Sequence, residues 1–463
     1  MIVKFNHNKN IIEENMYRPS LQDVAQPNLN RKIFPYGSVP RVTFNMRHVP
    51  MQCAKNLYIT DTTFRDGQQA CEPFSVENIV TLFKFLNKLG GPKGIIRQSE
   101  FFLYSDKDKE AVRKCQELGY RFPEVTSWIR ANEKDFELVK NMGIKETGIL
   151  VSCSDYHIFK KMKLTRREAL DKYLSIVKMA LERNIVPRCH FEDITRADFY
   201  GFVLPFAIEL QNLSNESGIP IKIRMCDTMG YGITYPGTSL PRSVQGIVYG
   251  LSHYAEIPEE RLEWHGHNDF HKAVVNSSTA WLYGCSSVST TLMGIGERTG
   301  NTPLEAMCIE YASLRGNTGG MDLTVITEIA EYFEKVMKIE IPARTPFVGK
   351  NFNATKAGIH ADGMLKNPEI YNIFDTEKIL NRPPGVIIDA FSGLAGVAFW
   401  VNNFFSLADD EKIDKQSEVV LKMKNDIDEE YANGRITSMS DSELKKMLKK
   451  HDPKLYSKLT EEK

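Results

Sequence analysis

The sequence predicts an α/β protein whose main part is a (β/α)8 TIM barrel, preceded by an N-terminal arm and followed by a mainly helical C-terminal accessory region. Three observations indicate this fold. Eight short apolar runs recur along the chain, amphipathic stretches lie between most of them, and polar or glycine-rich motifs directly follow several of the runs. With 463 residues, the chain is long enough for a barrel of about 250 residues and further elements.

The eight apolar runs are the predicted barrel strands. In chain order they are NLYITD, GIIRQSE, EVTSWIR, ETGILVS, IVPRCHFED, IKIRMCD, LEWHGH and SVSTTLMG. Segments such as VENIVTLFKFLNKLG and TRREALDKYLSIVKMALERN have apolar residues at helical spacing and predict the intervening helices. A doubly wound sheet is the competing fold. However, no GxGxxG motif follows the first strand, and eight regular repeats favour a closed barrel.

Composition divides the chain into four predicted parts. Residues 1–50 are polar, contain prolines and lack strong periodicity, so they predict an arm lying on the barrel, which spans 51–320. Residues 321–407 contain the helical pattern LTVITEIAEYFEKVMK and predict a linker helix with an accessory subdomain. The charged tail, 408–463, predicts a helical C-terminal subdomain.

The charge balance and the cysteines restrict the partners and the compartment. Lys plus Arg and Asp plus Glu both total 59, and no block of like charges occurs, which argues against a nucleic-acid or membrane partner. No run approaches the ~20 apolar residues of a membrane span. The eight cysteines are scattered without a CxxC pair, which favours reduced thiols in a cytoplasmic protein.

The motif His265-Gly266-His267 ends the seventh predicted strand. Residues two apart on a strand point to the same face, so both imidazoles are expected to project together. A pair of hydrogen-bonded structural histidines is the alternative interpretation. The position favours a functional pair, because barrel active sites form where the strands end.

A second motif, DTTFRDGQQ, follows the first strand and contains Arg65 and Asp66. Asp66 is a candidate oxygen ligand beside the two histidines, since two histidines and one carboxylate leave coordination positions open, as in a catalytic metal site. Arg65 could stabilise negative charge on a carbonyl oxygen. A polar turn with a solvated Arg–Asp pair is the alternative.

Further polar groups follow other strands. Glu192 and Asp193 end the fifth strand, and Thr228 follows the sixth. The eighth strand leads into GIGERTGN, whose backbone could approach a phosphate, as loops after the last barrel strands often do. A tight turn explains this loop equally well. Its candidate cofactor-binding residues are Gly294, Gly296, Glu297 and Gly300.

Together, DTTFRDGQQ, HGHND, GIGERTGN and the later KAGIHADGMLKNPEIY resemble the metal-dependent enzymes that condense an acyl-CoA with a 2-oxo acid. This family includes isopropylmalate, homocitrate and Re-face-specific citrate synthases. The resemblance covers about residues 56–375. Within the family, IRQSEFFLYSDKDKEAVRKC and the arm segment IFPYGSVPRVTF look most like the Re-face citrate synthases.

The resemblance implies a cofactor, a co-substrate and an assembly. A divalent metal, Mn²⁺ first and Mg²⁺, Co²⁺ or Zn²⁺ as alternatives, would be held by Asp66, His265 and His267, with Asn301 close to the metal. Acetyl-CoA would be the co-substrate. The segment carrying His360 would cross to a neighbouring barrel, which implies a homodimer.

The resemblance also assigns catalytic roles. Arg65 and Thr228 would contact the 2-oxo acid, and Glu192, His360 and Tyr371 would join Arg65 as catalytic residues. Whether His360 or Glu192 removes the proton from the acyl-CoA stays open at this point.

Several positions bear on the identity of the 2-oxo acid. Gln98, Arg130 and Asn132 are candidate substrate-binding residues. Gln98 stands where relatives often have a glutamate at the end of the second strand, and Asn132 differs from the histidine typical of homocitrate synthases. Arg188 shares one strand face with Glu192, so its guanidinium is expected inside the barrel, where it needs a partner.

A distal substrate carboxylate would supply that partner, unless Arg188 merely pairs with Glu192 or Asp193. This argument predicts oxaloacetate as substrate and citrate as product, with homocitrate and 2-isopropylmalate synthesis as alternatives.

Three other classes compete with a condensing enzyme. A biotin-dependent carboxyltransferase shares the barrel and a DTTFRD-like start, but the KAGIHADG segment favours condensation. A two-histidine, one-carboxylate iron oxygenase usually has another fold. A barrel that serves only as a scaffold or binding module would release no CoA.

Overall fold

The computed structural model of this protein describes residues 3–6, 11–14, 18–356, 358–408 and 410–461. The chain forms two compact units, Met1–Asp322 and Leu323–Lys463. The N-terminal part of the first unit contains an antiparallel pair of strands, β1 (Val3–Asn6) and β2 (Ile11–Glu14).

The core of the first unit is a closed barrel of eight parallel strands, in which each strand pairs with the next and β10 pairs with β3. The predicted (β/α)8 fold is therefore confirmed. The barrel strands are β3 (Tyr58–Asp61), β4 (Ile96–Phe101), β5 (Glu124–Ile129), β6 (Glu146–Ser152), β7 (Val186–Glu192), β8 (Lys222–Asp227), β9 (Leu262–Gly266) and β10 (Ser287–Thr290).

Helices lie between consecutive strands and begin at residues that satisfy their free backbone amides. Ser75 accepts a hydrogen bond from the amide of Asn78, and Thr165 and Glu168 form a reciprocal capping box. The helices are α1 (Val76–Gly90), α2 (Asp106–Glu117), α3 (Phe136–Asn141), α4 (Arg166–Glu182), α5 (Leu204–Ser217), α6 (Val244–His253), α7 (Ala273–Leu282) and α8 (Leu304–Arg315).

The arm that precedes the barrel lies against the loops that follow β7 and β8. The amide of Gln22 donates to the carbonyl of Gly201, and the amide of Ser239 donates to the carbonyl of Thr43. Arg47 donates to the hydroxyl of Tyr200, 2.8 Å away. Backbone and side-chain hydrogen bonds thus join the arm to the barrel, and the buried ring of Phe34 packs against Tyr231, with ring centroids 5.0 Å apart.

The second unit is mainly helical. One apolar core contains Val397 and Trp400, before residue 408, and Met423 and Leu444, after it. The division of this unit at residue 408 stays a prediction. The elements of this unit are α9 (Val325–Lys335), β11 (Ala354–Thr355), α10 (Gly358–Lys366), α11 (Thr376–Leu380), β12 (Gly385–Val386), α12 (Leu394–Phe404), α13 (Glu418–Ala432), α14 (Asp441–His451) and α15 (Pro453–Glu461). Within the described ranges, no helix combines the length and apolarity needed to cross a lipid bilayer.

Candidate active site

Three side chains with metal-binding atoms converge where β3 and β9 end. Asp66 follows β3, His265 lies in β9 and His267 comes directly after it. The two Nε2 atoms are 3.4 Å apart, and Oδ2 of Asp66 lies 3.7 Å from that of His265 and 3.9 Å from that of His267. All three residues are buried. Their ligand atoms therefore face one common point, as the sequence motifs predict.

The charges of these three groups suit metal binding at neutral pH. Burial raises the pKa of Asp66, but Arg65 and the two imidazoles more than offset this and hold it well below its usual range. Burial lowers the pKa of His265 and His267. A carboxylate and two neutral imidazoles are the protonation states in which these groups coordinate a cation.

Two buried polar atoms beside this cluster support its fit to a metal. Asn301 donates from Nδ2 to Oδ2 of Asp66 over 2.8 Å, while its Oδ1 has no hydrogen-bond partner among the residues that the structure describes. The same holds for Nδ1 of His267. Buried polar atoms are normally paired, so a bound cation with its water or substrate ligands fits this arrangement.

Arg65 connects the three-residue cluster to the interior of the barrel. Its Nη1 donates to Asp66 over 2.6 Å, and its Nε donates to Glu100 over 2.8 Å. The side chain of Arg65 is only 9% exposed. Arg65 is thus fixed in place before any substrate binds.

Four acids and four bases, among them Arg65 and Asp66, form a connected set of ion pairs that extends into the barrel; we name them the barrel charge cluster. Glu100 accepts from Arg65 and, over 2.9 Å, from Nη1 of Arg224. Arg224 also donates to Glu263 over 2.8 Å. The members are Arg65, Asp66, Glu100, Glu146, Arg188, Lys222, Arg224 and Glu263.

The carboxylates of the barrel charge cluster are ionised. Burial alone would raise their pKa values, but their Arg and Lys partners lower the pKa of Glu146 and of Glu263 to about 2 and that of Glu100 well below its usual range. The sequence motifs did not indicate a role for Glu100, Arg224 or Glu263. The two basic residues at alternate positions of KIRMCD, Lys222 and Arg224, could have indicated charges on one face of this strand.

Arg188 was expected to bind a substrate carboxylate because a buried guanidinium needs a partner; the structure corrects this premise. Arg188 is buried, as predicted, but its guanidinium already has internal partners. It pairs with Glu146, donates to the side-chain oxygen of Gln98 and lies 3.4 Å from Glu100. The assumption of an unpaired guanidinium is therefore wrong. Gln98 lies within β4 and not at its end, so Glu100 is closer to the strand terminus.

Glu192 is the partly exposed acid at the end of β7. Ser152 donates a hydrogen bond to its Oε2, and Lys161 lies 4.0 Å from its Oε1. Beside it, the amide of Asp193 donates to Oγ1 of Thr228 over 2.8 Å. The ends of β7 and β8 are thereby joined, and both predicted residues lie at the C-terminal face of the barrel.

The glycine-rich loop after β10 is compact and requires glycine at two points. Gly300 has a positive φ of 85°, and a Cβ atom there would lie 2.1 Å from the carbonyl oxygen of Gly294. A Cβ atom at Gly296 would lie 2.4 Å from Nδ2 of Asn301. The side chain of Glu297 is exposed. The tight turn is thus observed, and phosphate binding by this loop stays a prediction.

The remaining predicted residues are Arg130 and Asn132, which follow β5, and His360 and Tyr371. Arg130 is exposed and pairs with Asp135 at 3.2 Å, while the side chain of Asn132 caps the short helical turn that follows. His360 and Tyr371 belong to the helical unit, where their ring centroids are 4.2 Å apart. The roles of all four residues stay predictions.

Comparisons with known proteins agree with the fold and with the motifs. The HMGL-like family pattern matches residues 56–333. The Citrate (Re)-synthase of Clostridium kluyveri is 56% identical over 445 residues, which cover 96% of this chain and 98% of that protein. The Citrate (Re)-synthase of Syntrophus aciditrophicus is 54% identical over 458 residues, which cover 98% of this chain and 73% of that protein.

A 2-phosphinomethylmalate synthase from Streptomyces hygroscopicus is 32% identical over 437 residues, covering 93% of this chain and 98% of that protein. The predicted resemblance to the condensing enzymes is confirmed. Because the family pattern spans more than half of the chain and these relatives match nearly all of it, the chain belongs to the HMGL-like family.

Proposed function

We propose that this protein condenses acetyl-CoA with oxaloacetate to form citrate and CoA at a divalent metal site. The observation that carries the proposal is the convergence of Asp66, His265 and His267, with coordination positions left open, in a chain similar over nearly its whole length to two Citrate (Re)-synthases. Mn²⁺ is the proposed ion, with Mg²⁺, Co²⁺ and Zn²⁺ as alternatives.

The described residues fit the demands of a condensation. A bound divalent cation would polarise the 2-oxo group of the acceptor. Arg65, fixed by Asp66 and Glu100, adds positive charge where the carbonyl oxygen becomes negative. Thr228, next to Asp193, offers a hydroxyl at the same face of the barrel. The loop with Gly296 and Gly300 is the proposed contact for a phosphate of acetyl-CoA.

The methyl group of acetyl-CoA is a weak acid, so a base must remove its proton while a donor supports the enolate. We propose that Glu192 takes part in this proton transfer, because it is ionised and partly open to solvent at the end of β7. His360 and Tyr371, whose rings contact each other in the helical unit, are the proposed partners from a neighbouring subunit.

The proposal predicts a strong preference among 2-oxo acids. With acetyl-CoA and Mn²⁺, thiol release should be fastest with oxaloacetate, slower with 2-oxoglutarate and negligible with 2-oxoisovalerate. The measurement is the release of free CoA thiol with each of the three acids. Enzyme that contains no biotin is the control, because carboxyl transfer by the competing class depends on biotin. Efficient turnover of 2-oxoisovalerate with inert oxaloacetate would contradict the assignment and favour 2-isopropylmalate synthesis.

The same panel separates two roles of Arg188. If this arginine binds the distal carboxylate, Arg188→Met should lower oxaloacetate use by roughly 10²-fold, the scale of a lost charged contact. If it only neutralises Glu146 and Glu100, the variant should be less stable but keep its preference for oxaloacetate.

We also propose a homodimer in which His360 serves the neighbouring barrel, a proposal supported by the family resemblance. Inactive His360→Ala and His265→Ala chains should then regain part of the activity when they are co-expressed, because each hybrid dimer has one complete site. Hybrids shown by mass spectrometry to contain both chains, yet without activity, would mean that each chain uses its own His360.

Because its eight cysteines form no disulfide, we propose a reducing, cytoplasmic location.

A further inference from the structure

His157 lies against two adjacent carboxylates at the C-terminal face of the barrel. It belongs to the helical turn Tyr156–Lys161, which follows β6. Its Nδ1 is 3.1 Å from Oε2 of Glu192, an ion-pair distance at which the geometry falls short of an aligned hydrogen bond, and its Nε2 is 3.7 Å from Oδ2 of Asp193. The side chains of His157 and Glu192 are both 16% exposed, and that of Asp193 is fully buried. One imidazole therefore spans both acids at the end of β7.

The surroundings of this imidazole are fixed by other contacts. Asp193 has a left-handed backbone, with φ of 65°, and its carboxylate accepts from Ser154 and, over 2.8 Å, from Nε of Arg196. Ser152 donates to the same oxygen of Glu192 that faces His157. Because its hydrogen bonds hold Asp193 in place, the imidazole of His157 contacts a fixed carboxylate through Nε2 and Glu192 through Nδ1.

We infer that His157 is a positioning residue for Glu192, whose carboxylate it holds in place at the C-terminal face of the barrel. The catalytic part of this inference rests on the proposed function, which assigns Glu192 to proton transfer. None of the motifs that indicated the active site includes His157.

The electrostatics of Glu192 agree with this role. Burial raises its pKa, but His157, Ser152 and Lys161 more than offset burial and hold the pKa below its usual value. Its other titratable neighbours include Asp193, Cys153, Tyr173 and Cys226. Burial raises the pKa of Cys153, Tyr173 and Cys226, so these three are neutral at pH 7. The close approach of His157 thus favours the ionised form of Glu192.

Loss of the imidazole should therefore raise the pKa of Glu192. The carboxylate is then protonated up to a higher pH, and a step that needs the ionised acid slows first on the acid side of the pH profile. Substrate binding depends on other residues in the proposed site and should change less.

The test compares three substitutions at His157 with a control on the same turn. His157→Ala should lower kcat about tenfold to a hundredfold near neutral pH, move the acid limb of the kcat profile to higher pH and leave KM for oxaloacetate nearly unchanged. His157→Asn, whose amide nitrogen can take the place of Nδ1, should recover most of kcat. His157→Gln, whose amide better replaces Nε2, should recover less. Lys160→Gln, at an exposed position, should match the wild type.

A second readout does not depend on turnover. In protein labelled with ¹³C at glutamate carboxyl carbons, the Glu192 signal, assigned with Glu192→Gln, should titrate at higher pH in His157→Ala than in wild type. An unchanged titration, together with equal loss of kcat in the Ala and Asn variants, would overturn the inference and leave His157 a packing role. If the wild type releases no thiol with any 2-oxo acid, the proposed function fails while the titration still decides the effect of His157 on Glu192.

Discussion

Replacing His267 with alanine is expected to reduce CoA release on the order of a thousandfold and to weaken binding of Mn²⁺. The reason is geometric, because His267 supplies one of the three convergent ligand atoms, and its Nε2 lies 3.4 Å from that of His265. A loss of about 4 kcal/mol in transition-state stabilisation corresponds to that change in rate, and polarisation of a carbonyl by a metal is worth several kcal/mol.

Metal binding and activity should be measured separately for this variant. Isothermal titration with Mn²⁺ alone reports the site without any substrate, and chelator-treated wild type should regain activity on addition of the ion. His271→Asn is the matched control, since His271 is close in sequence but exposed. Wild-type metal affinity and activity in His267→Ala would remove this residue from the proposed metal site.

The second large effect is expected on stability, from Glu100→Gln. Glu100 is fully buried and its Oε1 accepts from both Arg65 and Arg224, so loss of its charge leaves the barrel charge cluster with one uncompensated positive charge. Breaking a buried ion pair by changing one partner costs roughly 3–5 kcal/mol. The free energy of unfolding in urea should fall by about that amount.

A matched surface pair provides the control for Glu100. Glu110→Gln removes the partner of Lys114 on the exposed face of α2 and should leave the free energy of unfolding nearly unchanged. Equal urea midpoints for Glu100→Gln and wild type would contradict the view that the interior charges are mutually dependent. If Glu100→Gln loses activity at urea concentrations at which it is still folded, the hydrogen bond from Arg65 to Glu100 is needed for catalysis and not only for stability.

The barrel itself could be read from the sequence because its signals are local. Each predicted strand, such as ETGILVS, coincides with or overlaps an observed one, and VENIVTLFKFLNKLG forms α1 over its full length. The meeting of His265 and His267 with Asp66 also follows from local rules, since parallel strands of a barrel end at one face.

The interior charges could not be assigned from the sequence. Arg188 was expected to lie inside the barrel, but its partners Glu146 and Glu100 come from β6 and β4. Their meeting depends on side-chain packing across the closed sheet, which no spacing along one strand encodes. For the same reason the contact of His157 with Glu192, from neighbouring strand ends, was not anticipated.

The most direct test of the central claim is the identity of the product. Enzyme with Mn²⁺, oxaloacetate and acetyl-CoA labelled with ¹³C in both acetyl carbons should form citrate with two adjacent labelled carbons, in equal amount to the CoA released, as measured by NMR and mass spectrometry. Release of CoA without labelled citrate, or formation of labelled 2-isopropylmalate or homocitrate from the corresponding 2-oxo acids while oxaloacetate is left unchanged, would contradict the account.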